Sequence, residues 1–586
     1  MNYKLNSTDT TAKKGVLKTA FTRLLPLMAE EKSKSLSALG AIVITSISTL
    51  FAPVIIGHTI DTYIAQKNFH GVLMSAALLL GLYLIALYTS YYQTKTMGGV
   101  GRRVLFNLRN VLFNKLQSLP VAFFNENKAG DLISRINNDT DKLNQFFAQA
   151  LMQFFGSALL IVGSGIFLLV LNGRLGIVSL LPAIVVIIVT QLVSPWVKRK
   201  NLISLQSIGG MSAEIQQSLE NFKVIVVFNR LDYFRNKFNE TNEKNYKASV
   251  GAGVANNLFT PLYGLAFNLA QVLVLGYGIL LIHSGSLTIG LLIGFILYVN
   301  NFYNPLRQLA SVWSSLQQAL AGLDRISEVL ALESNMKILP AASEGTSGLL
   351  LEFKDVSFGY PGGREVLHHV NLQLKPGHTY ALVGPTGGGK TTTASMMARL
   401  YDPTAGTVFL EGRDIRSYEA SQRAQKIGFI LQEPFLFTGT VRENIIYGND
   451  LYKNFSNDQL KATIDSAGLQ TLLTRFDAGL ETKVAANGGT LSLGQKQLIA
   501  FIRAVLRNPD LLILDEATAN IDTVTEQLLE DILKNLPAKT TKVIIAHRLN
   551  TIENAGEIFF VNAGEIVPAG SMEHAVDMLL HGQRKS

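Results

Sequence analysis

The chain of 586 residues has no cysteine, only two tryptophans and only nine histidines. Without cysteine there is no disulfide framework and no thiolate-bound metal. The histidines are scattered, with no His-Glu-x-x-His spacing to hold zinc. Charge is sparse as well: Asp, Glu, Lys and Arg make up 16% of residues, against 48% hydrophobic. Soluble domains carry about 25% charge, so a membrane setting is expected. The first 35 residues hold several lysines but no cleavage-site pattern, and do not read as a signal peptide.

The charge that exists is unevenly placed. Residues 1–340 hold 29 Lys+Arg and 16 Asp+Glu of the 52 and 43 in the chain, which leaves 23 and 27 for the remainder. The basic excess is therefore confined to the first part, where it is interleaved with long apolar runs. That pattern belongs to a bilayer surface and excludes nucleic acid as the partner.

Six stretches are long and apolar enough to span hydrocarbon, which takes about 20 residues per helix: 36–60, 72–92, 146–171, 175–193, 258–282 and 289–313. Lys67 and Arg174 are the only basic residues on one side of these spans; the other 27 of the first part lie opposite. The positive-inside rule then puts the N-terminus, both long connections and the second half in the cytoplasm. Residues 16–28 read as an interfacial helix. The connections 93–145 and 195–257 carry polar helical patterns rather than turn clusters, so they extend the membrane helices beyond the bilayer. Their charged faces read as solvated surface or as contacts to an attached soluble domain.

Ionisable groups are nearly absent from the spans; Asp61, His58 and Arg307 sit near helix ends. Secondary transporters need intramembrane carboxylates for ion coupling, so energy must come from elsewhere. Asn300, Asn304 and Gln308 recur every four residues and share one face of the sixth helix; Asn268 and Gln271 do likewise on the fifth. Two readings stand: a substrate cavity lined by amides, or interhelical hydrogen bonds. Residues 333–348 lose the periodicity and gain Pro, Ser, Ala and Gly, as a linker does. The division is thus 1–332 membrane domain, 333–348 linker and 349–586 soluble domain.

In the second half, the strand-like run 379–383 leads into Gly384-Pro385-Thr386-Gly387-Gly388-Gly389-Lys390-Thr391, with a helical pattern from Thr392. Strand, glycines, then helix is the context a phosphate-binding loop requires. Glycines let backbone N–H groups converge on phosphate oxygens, and the helix N-terminus adds its positive dipole end. Lys390 suits the β and γ phosphates of ATP, and the Thr391 hydroxyl suits Mg²⁺. A second buried-strand run, 511–514, ends in Asp515-Glu516. Ligand sites of parallel sheets lie at the carboxyl ends of strands, so Asp515 is read as a Mg²⁺ partner and Glu516 as the group that polarises the attacking water. The fold class expected is an α-helical polytopic membrane domain plus an α/β P-loop ATPase domain.

With these motifs in order the chain resembles the ATP-binding cassette (ABC) transporter family, specifically exporter-type half-transporters, over nearly its whole length. Leu491-Ser492-Leu493-Gly494-Gln495 is similar to the family signature. The resemblance implies that Gln432 contacts Mg²⁺, Tyr360 stacks on adenine, Asp522 lies in the loop crossing to the other cassette, and His547 reaches the γ-phosphate. It also implies two cassettes sandwiching two ATPs, with short transverse helices near 125–135 and 221–227 carrying motion to the membrane helices. Two departures stand out: Leu493 occupies a position where the family favours glycine, and 484–488 lacks the usual Gly-Glu carboxylate. In heterodimeric bacterial exporters the chain that keeps the glutamate often has an altered signature. The expectation is a bacterial inner-membrane exporter of small amphipathic molecules (drugs, lipids or peptides). It would be one half of a heterodimer rather than a homodimer; an importer of exporter fold and an ATP-gated channel are the alternatives.

Overall fold

The computed structural model describes residues 3–5, 25–340, 345–515, 523–545, 555–570 and 572–581. Contacts divide the chain into two compact units. One comprises Ser7–Leu116 and Gly130–Ala331; the other comprises Met1–Asn6, Gln117–Ala129 and Leu332–Ser586.

The first unit is helical. Its long helices are α1 (Lys32–His58), α2 (Phe69–Gln117), α4 (Ala129–Leu171), α5 (Gly173–Glu220), α7 (Leu231–His283) and α8 (Ile289–Ala331). Two short helices intervene, α3 (Val121–Glu126) and α6 (Phe222–Val227). Six helices are long and apolar enough to cross a membrane, the first running from Pro26 to Ile64 with α1 at its centre, and each contains one of the expected spans. With no water in hydrocarbon to satisfy the backbone, a helix is the one local solution for these segments. At 1.5 Å per residue, the 49 residues of α2 reach about 73 Å, more than twice the ~30 Å hydrocarbon core. The polar patterns of 93–145 and 195–257 do continue the membrane helices.

Polar side chains hold this unit together where apolar packing alone is not selective. Tyr298 Oη donates to the Leu50 carbonyl at 2.5 Å and Tyr303 Oη to the Ser179 carbonyl at 2.9 Å. Burial in the bundle leaves these phenols no water, so each meets a carbonyl of another helix. Asp61 accepts from Thr288 Oγ1 (2.5 Å) and from the Gly290 amide (2.7 Å), so it satisfies first-turn donors of α8. A Cβ on Gly290 would stand 2.1 Å from the Gly57 carbonyl oxygen; α1 and α8 approach this closely because neither residue has a side chain. Toward the other end of α8, Arg135 is 1% exposed. It donates to Asp131 (2.9 Å), to Glu328 (2.8 Å) and to the Arg325 carbonyl (2.6 Å). Arg325 in turn reaches Asp131 at 2.5 Å and Asp139 at 3.2 Å. This buried ionic network fastens the start of α4 to the end of α8.

The second unit is built on strands β1 (Leu351–Gly359), β2 (Glu365–Leu374), β3 (Thr379–Val383), β4 (Ala405–Leu410), β5 (Arg413–Asp414), β6 (Ile427–Ile430), β7 (Gly439–Thr440), β8 (Lys483–Val484), β9 (Leu511–Asp515), β10 (Thr541–Ile545), β11 (Glu557–Asn562) and β12 (Glu565–Pro568). They form a six-stranded sheet of order β12-β11-β3-β10-β9-β6, a four-stranded antiparallel sheet β2-β1-β4-β5, and the ribbon β7-β8. In the larger sheet β11, β3, β10, β9 and β6 run parallel. β3 and β9 are apolar runs buried almost throughout, as strands covered on both faces must be.

Residues 117–129 follow a membrane helix in sequence yet belong to the cassette unit. Pro120, in extended conformation, starts α3 at Val121, four residues ahead of the transverse helix read from the sequence. Proline at a helix start removes no needed donor. Asn125 Nδ2 donates to Tyr401 Oη at 2.6 Å. The segment Tyr3–Leu5 clamps the other side. The Tyr3 amide donates to Glu126 Oε2 (2.8 Å), Asn127 donates to the Tyr3 carbonyl (2.9 Å), and the Leu5 amide donates to Asn127 Oδ1 (3.0 Å). The Tyr3 side chain, 1% exposed, crosses to the linker. There its hydroxyl donates to Asn335 Oδ1 (2.8 Å) and accepts from the Asn335 amide (2.9 Å). Burial pushes the Tyr3 phenol above its ordinary pKa, so it remains a neutral donor and acceptor. Tyr3→Phe keeps the packing and removes both bonds, together with a longer one from the hydroxyl to the Glu333 carbonyl at 3.2 Å. The Asn335 amide should then exchange with deuterium about tenfold faster, on the order of one lost hydrogen bond. Unchanged protection would mean that packing alone holds the segment.

Candidate functional site

The phosphate loop lies between β3 and α9 (Lys390–Met397). Gly384 has φ +151°, and a Cβ there would stand 2.0 Å from the Val561 carbonyl oxygen; Gly389 has φ +115°. The loop therefore turns tightly over the end of β11 in a conformation closed to other residues. Pro385, Thr386, Gly387 and Gly388 complete the turn, with Gly388 N–H donating to the Pro385 carbonyl at 3.1 Å. Lys390 Nζ arches back to the carbonyls of Gly384 (2.9 Å) and Pro385 (3.1 Å). Its buried stem holds the ammonium at the mouth of the loop. Such an arrangement presents a fixed cation and first-turn amides to an anion.

Thr391 Oγ1 donates to Asp515 Oδ1 at 3.2 Å. Asp515 ends β9, where it is paired in register with Ile545 of β10 and nearly fully buried. β6 pairs with β9 through Ile430 and Leu514, which sets Gln432 just past the same carboxyl edge. A hydroxyl, a carboxylate and an amide oxygen are hard donors, the set that suits Mg²⁺. Tyr360 Oη lies 3.1 Å from Thr392 Oγ1, and its ring meets Phe358 and Tyr401 edge-on at 5.0 and 5.3 Å. The stacking aromatic read from the sequence is thereby tied to the first turn of α9.

The signature opens α10 (Leu493–Val505). Ser492 Oγ accepts from the Gln495 amide (3.2 Å) and the Ser492 amide donates to Gln495 Oε1 (3.0 Å), a reciprocal capping box. Leu491 packs against the core beneath. Leu493 is the first helical residue, 38% exposed, and is not among the residues of positive φ. The glycine the family favours is thus not demanded by backbone geometry, and the leucine side chain stands at the surface next to Gly494. Residues 486–488 form a 3₁₀ turn after β8. Glu516, Asp522 and His547 lie outside the described residues.

In the membrane unit, Asn300, Asn304 and Gln308 occupy one exposed face of α8, and Asn304 Nδ2 donates to Asn300 Oδ1 along the helix rather than across it. Gln308 also lines an open cavity of about 370 Å³ among α1, α2, α4 and α8. Gln93, Gln149, Gln153 and Thr45 line it too, and sequence reasoning overlooked them. The available signal was Gln149 and Gln153, four apart in an apolar helix and so on one face. Gln93 was read as the beginning of a connection.

A helical bundle of six membrane-capable helices, joined in one chain to a phosphate-loop domain with a capped signature helix, defines a transport ATPase. Comparison with known proteins agrees. The family model for the ABC transporter transmembrane region matches residues 36–306, and that for the ABC transporter matches residues 367–519. The chain belongs to the ABC transporter family, and is a multi-pass membrane ATPase of exporter type. It is 33% identical to the ABC transporter ATP-binding protein YfiC of Bacillus subtilis, over 94% of this chain and 91% of that one. It is 33% identical to a fatty acid ABC transporter ATP-binding/permease protein of Mycobacterium tuberculosis, over 86% and 79%. A multidrug resistance ABC transporter ATP-binding and permease protein of Lactococcus lactis is 31% identical over 85% and 84%. The fold matches a bacterial Atm1-family ABC exporter with ATP bound, at TM-score 0.77, 23% identity, and coverage of 94% and 96%.

Lys390→Ala removes the one side-chain cation seated in the glycine loop. ATP affinity should fall by about tenfold or more, as expected for losing a charged hydrogen bond to phosphate. Titration with a fluorescent ATP analogue checks this.

Proposed function

We propose that the chain exports small amphipathic molecules across a bacterial inner membrane, powered by ATP and Mg²⁺, as one half of a heterodimer. The observation that carries this reading is the juxtaposition of Lys390, Thr391 and buried Asp515 at one sheet edge, in a chain with six membrane-capable helices. Thr391, Asp515 and Gln432 would hold Mg²⁺, which supplies charge neutralisation at the phosphates. Tyr360 would stack on adenine. Lys390 and the loop amides from Gly384 to Thr392 would bind the phosphates and fix the reacting end of the nucleotide. Glu516 would orient the water for in-line attack and accept its proton, while His547 would fix the γ-phosphate. Asp522 and the signature Leu491–Gln495 would serve the opposite chain. The basic excess facing one side supports a cytoplasmic N-terminus and cassette, and Asn300, Asn304 and Gln308 would line the substrate path.

Half-transporter exporters generally dimerise and act on membrane-embedded substrates. Exposed apolar surface supports a partner in each unit: Phe222, Val224, Val227 and Phe228 at α6, and Phe435, Phe437 and Tyr447 in the cassette. The last three form one aromatic cluster, with centroids 5.1 and 4.2 Å apart. Patches of this kind mark interaction sites. Leu493 is what supports a heterodimer. A surface leucine at the head of α10 would crowd the nucleotide that this signature covers, whereas the site containing Glu516 is completed by the opposite chain's signature. One competent and one degenerate site result.

Glu516→Gln should reduce hydrolysis by about a hundredfold or more while leaving ATP affinity within about threefold. Loss of binding along with turnover would refute the water-orienting role. Co-expression with the product of an adjacent transporter gene should yield substrate-stimulated turnover that this chain alone lacks. A stable homodimer with full stimulated turnover would refute the heterodimer.

A further inference from the structure

The cavity among α1, α2, α4 and α8 carries chemistry that family membership leaves open. None of its lining residues is Asp, Glu, Lys, Arg or His, yet most of them are polar. The threonine hydroxyls are committed to protein partners: Thr45 donates to the Ala41 carbonyl, Thr49 to the Thr45 carbonyl and Thr94 to the Ser90 carbonyl, each at 2.9 Å, and Thr45 Oγ1 also lies 2.7 Å from Thr89 Oγ1 of α2. The amides of Gln93, Gln149 and Gln153 are not. Gln93 Oε1 is buried without a hydrogen bond, and among the described residues Gln149 and Gln153 have no hydrogen-bonding partner. These two lie one turn apart on α4, about 6 Å between Cβ atoms. Gln149 and Gln153 are exposed to the space, and free polar groups at membrane depth persist where they line a cavity.

Charge near the cavity is occupied elsewhere. Lys95 lies over the Tyr91 ring at 5.7 Å, and Lys142 pairs with Asp139 at 2.9 Å; Arg307, next to Gln308, does not line the space. A carboxylate or ammonium entering here would meet no counter-charge among the lining residues. An uncharged group with several donors and acceptors would instead satisfy amides that both donate and accept. The volume, about 370 Å³, is at the small end of ligand sites. It fits a head group rather than a whole lipid.

We propose that this cavity receives the head group of the transported amphipath, and that this head group is an uncharged amide, polyol or sugar rather than a carboxylate or a cation. The proposal rests on the export reading and narrows its substrate class. The test uses the full chain with its partner in nanodiscs and three probes of matched chain length: a monoacylglycerol, a fatty acid and an alkyltrimethylammonium. Binding and ATPase stimulation are measured separately. Monoacylglycerol should half-saturate binding at about tenfold lower concentration than either charged probe, and Gln149→Leu with Gln153→Leu should remove that advantage. Gln153→Lys should shift preference to the fatty acid, an outcome that loss of packing alone does not produce. Fatty acid or ammonium binding as tight as the neutral probe, or a preference insensitive to these substitutions, would overturn the cavity assignment. Selective, Gln149-dependent binding that never stimulates turnover would support the assignment and overturn the export reading instead.

Discussion

Hydrocarbon offers a peptide group no hydrogen-bond partner, and the membrane unit follows from that single constraint. Every long apolar segment becomes a helix that satisfies its own backbone, and polar side chains within it must find partners or face a cavity. Tyr298 and Tyr303 reach carbonyls of other helices, Asp61 satisfies the start of α8, and the threonines bond back to their own turns. Against that background the uncommitted glutamines on α2 and α4 stand out. In a soluble protein they would be unremarkable surface; here they mark the space where a guest molecule can supply what the protein does not.

The cassette answers to a different constraint, convergence on a polyanion. β3 and β9 are neighbours of β10 in one parallel sheet, so their carboxyl ends deliver Gly384 and Asp515 to one edge although 131 positions separate them in sequence. The loop can hold its shape because Val561 of β11 fills the place where side chains at Gly384 and Gly388 would project. Chemistry and packing therefore select the same glycines. Lys390, Thr391 and Ser492 are each held by short contacts to the backbone or to a neighbouring side chain, so the charged and hydroxyl groups stand where phosphate is expected before any ligand arrives.

Legibility in the sequence tracked the range of the interactions. Six spans were readable because hydrophobic length is a local property, and the phosphate loop because its spacing is contiguous. The continuation of α2 to Gln117 and α5 to Glu220 was also readable, from helical periodicity without turn residues. The start of α3 was misplaced by four residues, because Pro120 was not weighed as a helix opener. The Tyr3 clamp left no signal, nor did the closure of the Arg135 network onto α8, since these join positions more than a hundred residues apart; only the pair Asp131 and Arg135, four apart, has a local spacing. The glutamine cavity falls between these cases: half of it is a spacing of four on one helix, and half depends on which helices meet.

The length of α2 has a mechanical meaning. A rod of about 73 Å turns a small angle into a large displacement: a tilt of about 5° moves its tip by about 6 Å, roughly one helical turn. The segment that follows α2 is itself pinned, since Tyr3, Asn125 and Asn127 hold it by hydrogen bonds of 2.6–3.0 Å. A helix of this length can therefore shift its far end by a whole turn without any part of it having to unfold.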